Sequence, residues 1–329
     1  MPTAFVRRVG AAAADLVTDA GGTSWVLIKI LIPISIVTRI LEQLGVVAWL
    51  GDLLGPVMAL VGLPGSMGLV WATAIVTNLY GGMVVFASLA PEANLTVAQV
   101  TVLTTMMLLA HCMPVELRIA QKAGVRAWVL AVLRLGSALG LGLALRGFYA
   151  ATGLLQRPVR VLLAAGTQDG SWAGWLQGQI RTLCAIFLIV LVLLLVLRTL
   201  KWLGITDLLT RLLEPVLTTL GMSPHAAPMA IIGMTLGMAY VGGLILRETA
   251  SGRLSARDVF SAFALLSLCH SIIEDTLLMA ALGAHVSGTL VARLLFAFVA
   301  IALLARGLRR LPDRSFSRFL FASPDPKTA

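Results

Sequence analysis

Long stretches of this chain carry no charge at all, and that single property decides most of what it can become. The run 183–197 contains only apolar residues and Cys184, enough helix to cross much of a hydrocarbon core that needs about 20 helical residues. Charged residues make up 12% of the 329 positions, with 59% hydrophobic, about half the charge of an ordinary soluble domain. The expected class is therefore an all-α polytopic membrane protein, since the ten-residue alternation of an outer-membrane barrel is missing.

Charge then excludes a second class. A net charge of +10 would suggest nucleic acid in a soluble protein, but here the basic residues gather near the ends of apolar segments, as membrane topology and anionic lipid require. No nucleic-acid partner is expected; membrane lipids are. The three cysteines, Cys112, Cys184 and Cys269, form no CxxC pair and suggest neither a disulfide framework nor a zinc ribbon. Asp15 and Asp19 interrupt the apolar run that a cleaved signal would place after Arg7 and Arg8, so residues 1–22 read as an amphipathic lead-in on the membrane surface.

The second half repeats the first. A shift of 159 positions carries His111 onto His270, Leu44-Gly45 onto Leu203-Gly204, Pro56 onto Pro215, Gly62 onto Gly221, Gly124 onto Gly283 and Arg134 onto Arg293. One inserted residue would also bring Tyr80 onto Tyr240 and Gly82 onto Gly242. Matches at rare residue types in nearly one register mark a duplication. The expected organisation is repeat 1 at 23–150, a connecting loop at 151–180 that includes the polar stretch 164–174, repeat 2 at 181–310 and a basic tail at 311–329. Each repeat reads as an apolar helix, a shorter segment with a central proline, a glycine-rich broken segment, a helix ending in the His motif and a closing helix.

Equivalent loops carry unequal charge. The turn with Arg118, Lys122 and Arg126 corresponds to 283–287, which has no Lys or Arg, whereas 91–94 has none and its counterpart holds Arg247, Arg253 and Arg257. The halves therefore face opposite ways, an inverted repeat with broken or re-entrant helices and three or five crossings per half. Both termini are expected on the cytoplasmic side of the inner membrane, although Arg157, Arg160 and Arg181 run against that assignment.

Inverted repeats built from interrupted helices suit secondary transport, with the solute near the midplane where the breaks meet. Asn78, Tyr80, Gly81 and Gly82, with Tyr240, Gly242 and Gly243, are the expected solute contacts; tight helix packing is the competing account of the same glycines. His111, Glu116, His270, Glu274 and Asp275 are expected to couple or gate, with His270 and Glu274 spaced to share a helical face. Arg134 and Arg293, counted with that coupling or gating set, are costly in a membrane and need a carboxylate such as Glu116, Asp275 or Glu274 or an anionic lipid headgroup, with binding of an anionic substrate as the alternative. A metal set of His111, Cys112, Cys269 and His270 is an alternative. No GxSxG, HExxH, GxxxxGK[ST] or GxGxxG motif is present, so neither an enzyme nor an ATP-driven pump is expected, and no cofactor beyond a coupling ion.

The segments "TNLYGGMVVF" with "LAHCMPVELRIAQKAG", and "GMAYVGGLILRE" with "HSIIEDTLLMAALGA", resemble the nucleoside recognition or Gate domain family of prokaryotic membrane proteins. Related units occur in the ferrous iron transporter B, in spore maturation proteins and in relatives of concentrative nucleoside transporters. The resemblance covers about 25–148 and 182–308 as two tandem units. It implies an inner-membrane permease for a small polar solute, nucleoside-like in one reading, and leaves room for a homodimer. The alternatives are a divalent transition-metal permease and a non-transport scaffold or lipid-handling protein. The two copies differ at Pro114-Val115-Glu116 against Ile273-Glu274-Asp275, which argues for an asymmetric site.

Overall fold

The computed structural model describes residues 2–160, 172–250 and 254–322. The expected loop at 164–174 lies largely outside the described residues, as do Arg253 and the end of the basic tail. Among the described residues there is no strand, only isolated bridges pairing Thr96 with Pro158 and Val125 with Phe321. The protein is an all-α polytopic membrane protein.

Repeat 1 begins with α1 (Pro2–Gln43), one helix that continues the expected lead-in into the first apolar segment, followed by α2 (Val46–Leu60). Next come α3 (Met67–Val76) and α4 (Leu79–Ala93), then α5 (Val97–Leu109) and α6 (Met113–Lys122), and finally α7 (Ala127–Thr152). Repeat 2 gives α8 (Trp172–Trp202), α9 (Ile205–Thr219), α10 (Ala226–Leu236), α11 (Met238–Ala250), α12 (Ala256–Leu268) and α13 (Ile272–Ala281). A π-helical turn, Ser287–Ala292, leads into α14 (Arg293–Arg310), and a short α15 (Asp313–Phe319) follows.

Local chemistry sets these boundaries twice over. Thr96 and Ser255, equivalent under the shift, each close a capping box, with Gln99 and Asp258 respectively, so α5 and α12 start with their orphan donors satisfied. Gly45 and Gly204 take left-handed conformations between the first two helices of each half (φ 72° and 71°), which only glycine adopts without strain.

The glycine-rich segment folds back on itself. Gly82 of α4 lies against Val70 and Ala74 of α3, residues that a straight broken helix would leave far away, so α3 and α4 form a re-entrant hairpin with its tip at Thr77-Asn78. α10 and α11 repeat this, Val241 packing on Gly233. In contrast, α5 and α6 run on as one broken span, as do α12 and α13. Among the described residues six spans are long and apolar enough to cross a membrane: 16–43, 97–122, 127–152, 173–202, 256–281 and 287–310. Three fall in each half, an odd number, which is what inverts one repeat relative to the other. α2 and α9 are too short to cross, at about 22 Å of rise each against a core of about 30 Å.

The register of the repeat needs correction at the hairpins. α4 begins at Leu79 after Asn78, and α11 begins at Met238 after Gly237, so the single shift holds throughout and no residue is inserted. Tyr80 is therefore equivalent to Ala239, and Tyr240 to Gly81. The physical reason is an exchange of sizes: Gly82 opposite Ala74 in one hairpin becomes Val241 opposite Gly233 in the other. Each pairs one smaller residue with one larger, and the extra volume has changed sides.

The halves interlock through α5, α7 and the π-helical turn. Thr101 accepts a hydrogen bond from the His285 amide at 2.9 Å, and the Tyr149 hydroxyl meets Ser287 at 2.7 Å. Two extended straps add to this: Val159 donates to the Leu95 carbonyl and packs on Gly283, while Ala322 donates to the carbonyl of Gly124.

Candidate functional site

In each half a membrane helix stops and restarts at the His motif. Ala110 and Cys269 leave the helical region, and the following Cys112 and Ser271 have φ of 49° and 45°. Neither is glycine, so each junction holds a left-handed residue at a cost of about 1–3 kcal/mol. Such strain persists only where surrounding contacts over-determine it. Here the Cys112 amide donates to Ala74 O at 2.9 Å and the Ser271 amide to Gly233 O at 3.4 Å, tying each break to the re-entrant hairpin of its own half.

A helix that ends inside a membrane exposes carbonyls that lipid cannot satisfy. Arg134 and Arg293, both 0% exposed, do so. Arg134 Nε donates to Leu109 O and Nη2 to His111 O, both at 2.8 Å; Nη1 is bound to Glu116. Arg293 repeats the pattern on Leu268 O and His270 O, both at 3.0 Å, with Asp275 at 3.5 Å. A cation at a helix C-terminus also opposes the negative end of the dipole. The arginines are pins for the helix breaks as well as ion-pair partners, a role that carbonyls, invisible in a residue pattern, define.

The junctions meet. His111 Nε2 lies 3.1 Å from His270 Nε2, with the rings only 6% and 3% exposed. Both Nδ1 atoms face backbone carbonyls, Met107 O at 3.0 Å and Leu266 O at 2.6 Å. Because a carbonyl only accepts, each Nδ1 carries the hydrogen. Glu116 Oε1 lies 3.3 Å from His270 Nε2 and 3.8 Å from His111 Nε2, its other oxygen being held by Arg134. Asp275 also places an atom within 4.8 Å of both histidines.

Other residues singled out from the sequence fall differently. His270 finds its carboxylate on the opposite half, at Glu116; the i, i+4 relation to Glu274 fails because the helix is interrupted at Ser271. Cys112 and Cys269 flank the junctions, and neither joins the group of donors made by His111, His270 and Asp275. Asn78 caps α4 by accepting from the Gly81 amide at 2.9 Å. A Cβ on Gly81 would strike Thr77 and one on Gly82 would sit 2.7 Å from Met107 Cε, so both glycines serve close packing here. Tyr80 is partly buried and packs against the hydrophobic core. Gly243 is exposed, with open space where a Cβ would stand, and the side chain of Tyr240 lies outside the described residues.

These features define a class: a multi-pass membrane protein of two inverted repeats whose broken helices enclose a buried polar centre. Residues 24–126 match the family model described as Gate, nucleoside recognition, a match that falls within the first repeat. Over 269 residues the chain is 29% identical to the "Uncharacterized membrane protein YvoD" of Bacillus subtilis (strain 168), covering 79% of this chain and 83% of that protein. No solved structure matches the chain.

Proposed function

We propose that this protein is a secondary transporter that moves a small polar solute, nucleoside-like in class, across the inner membrane by exposing its centre alternately to either side. The observation that carries this reading is the convergence of helix breaks from both halves on one enclosed polar point: each His junction is hydrogen-bonded to its own hairpin through Ala74 O or Gly233 O, and the two junctions touch through their imidazoles. An inverted pair of repeats joined at such a point can rock about it, which is the structural requirement of alternating access. The described conformation corresponds to an occluded state, with both histidines buried.

The family description supports a nucleoside-like solute for the Gate unit. Asn78 and Tyr80, at the tip of the first hairpin, are the side chains we assign to solute contact, with Arg134, Arg293 and the carboxylates Glu116, Glu274 and Asp275 holding the gate. No chemical turnover is part of this reading. Both termini would lie in the cytoplasm, consistent with an even number of crossings. Uptake of labelled nucleosides into proteoliposomes tests it: the expected result is saturable uptake, lowered in Tyr80→Ala while folding is retained. Uptake no faster than in protein-free vesicles, across purine and pyrimidine nucleosides, would count against the nucleoside class.

A further inference from the structure

With both Nδ1 hydrogens committed to carbonyls, each imidazole presents a lone pair at Nε2 whenever it is neutral. Here those lone pairs face each other at 3.1 Å, an arrangement that repels unless a cation lies between them. The nearest third donor is an anion, Glu116 Oε1, at 3.3 and 3.8 Å from the two nitrogens.

These separations have a chemical meaning. Ligands at about 2.0–2.1 Å in a tetrahedral shell are about 3.3 Å from one another, and the three edges of the His111, His270 and Glu116 triangle, at 3.1, 3.3 and 3.8 Å, straddle that value. The outer contacts are also those of a metal site. Each imidazole is fixed by a hydrogen bond from its remote nitrogen, and the carboxylate is held on its remote oxygen by Arg134; such partners set tautomer and orientation at metal centres. Asp275 supplies the nearest further donor, within 4.8 Å of both histidines.

We infer that His111, His270 and Glu116 bind one divalent transition-metal ion of borderline softness, of the zinc type, at the junction between the two repeats. Two imidazoles and a carboxylate suit such an ion, whereas magnesium and calcium prefer all-oxygen shells. The site takes ligands from both halves, so the ion ties the repeats together in the occluded state. The inference rests on donor geometry and not on solute transport, which can fail or succeed separately.

The test uses the full-length protein purified in nanodiscs, stripped with chelator and titrated with Zn(II) or Co(II). Elemental analysis and calorimetry should give a single ion per chain, and Co(II) should show the intense visible bands of a four-coordinate site with nitrogen ligands. His111→Gln and His270→Gln should each weaken binding by at least about tenfold to a hundredfold, the range lost even when outer partners of a ligand are removed. A variant carrying Cys112→Ser and Cys269→Ser should bind as the natural protein does. Failure of the stripped natural protein to bind either metal would overturn the inference, whatever the variants do, and would leave a shared proton between the imidazoles. Retention of binding in both His variants would overturn it too.

Discussion

His111 and His270 are equivalent residues of the two repeats, 159 positions apart, and their Nε2 atoms stand 3.1 Å from each other. Residues related by a pseudo-two-fold can touch each other only close to its axis. In an inverted repeat that axis runs parallel to the membrane plane, so the pair marks a point on the boundary where the two halves exchange sides. The two carboxylates break the symmetry: Glu116 holds Arg134 with one oxygen and places the other 3.3 and 3.8 Å from the two histidines, while its equivalent Asp275, one methylene shorter, lies 3.5 Å from Arg293.

Metal removal is expected to lower thermal stability. An ion that binds only the assembled junction stabilises by about 2.7 kcal/mol when free metal is a hundred times its dissociation constant. Thermal unfolding in nanodiscs with and without chelator should show this difference for the natural protein, and no difference for His270→Gln. Equal melting curves for the natural protein under both conditions would remove the stabilising role.

Replacing a pinning arginine by lysine is expected to be costly even though charge is kept. A lysine ammonium cannot present the three-way fork with which Arg134 holds Leu109 O, His111 O and Glu116. Each buried carbonyl left unpaired costs about 1–3 kcal/mol, and Arg134→Ala, which strands Glu116 as well, about 3–5 kcal/mol. Denaturant or thermal unfolding should rank natural protein above Arg134→Lys above Arg134→Ala, with the same order at Arg293. A lysine variant as stable as the natural protein would show that the carbonyl contacts contribute little.

Much of this was readable from residue types. The repeat, its inversion and the all-α class follow from the spacing of His111, Pro56, Gly62 and Arg134 and from loops of unequal charge, because those depend on side chains alone. What stayed hidden depends on the backbone. The touching of His111 and His270 needs a left-handed residue at Cys112 and Ser271, a conformation that a cysteine or serine does not announce. The same break removes the helical geometry that suggested His270 with Glu274. The tyrosine match misled because Tyr80 and Tyr240 lie one register apart, and packing at Ala74, Gly82, Gly233 and Val241 holds the true register.

That exchange of sizes makes its own prediction. A Cβ on Gly82 would sit 2.7 Å from Met107 Cε and 3.0 Å from Ala74 Cβ, so Gly82→Val is expected to cost about 1–3 kcal/mol through overpacking. Adding Ala74→Gly rebuilds the arrangement of the second hairpin and should recover part of that loss. The coupling from a double-mutant cycle, measured by thermal unfolding, should be favourable by about 0.5 kcal/mol or more. Strictly additive effects would mean that Met107, rather than Ala74, sets the limit.

The strap between the halves gives the most direct test of rocking. A Cβ built on Gly283 lies 3.9 Å from Val159 Cβ, close to the mean separation in disulfides. Val159 follows the last helix of repeat 1, and Gly283 sits between α13 and the π-helical turn of repeat 2, so a bond there staples one half to the other. In a background with Cys112, Cys184 and Cys269 replaced by serine, Val159→Cys with Gly283→Cys should cross-link on mild oxidation. The positive φ of Gly283 (92°) makes a cysteine there strained and lowers stability before oxidation, so each single variant serves as its control. If alternating access moves the strap against repeat 2, oxidation should stop uptake in proteoliposomes and reduction should restore it, with the single variants unaffected. Full uptake by a completely cross-linked protein would mean that strap and second repeat travel together, and would place the moving boundary elsewhere, between the hairpins and the span that carries the histidines.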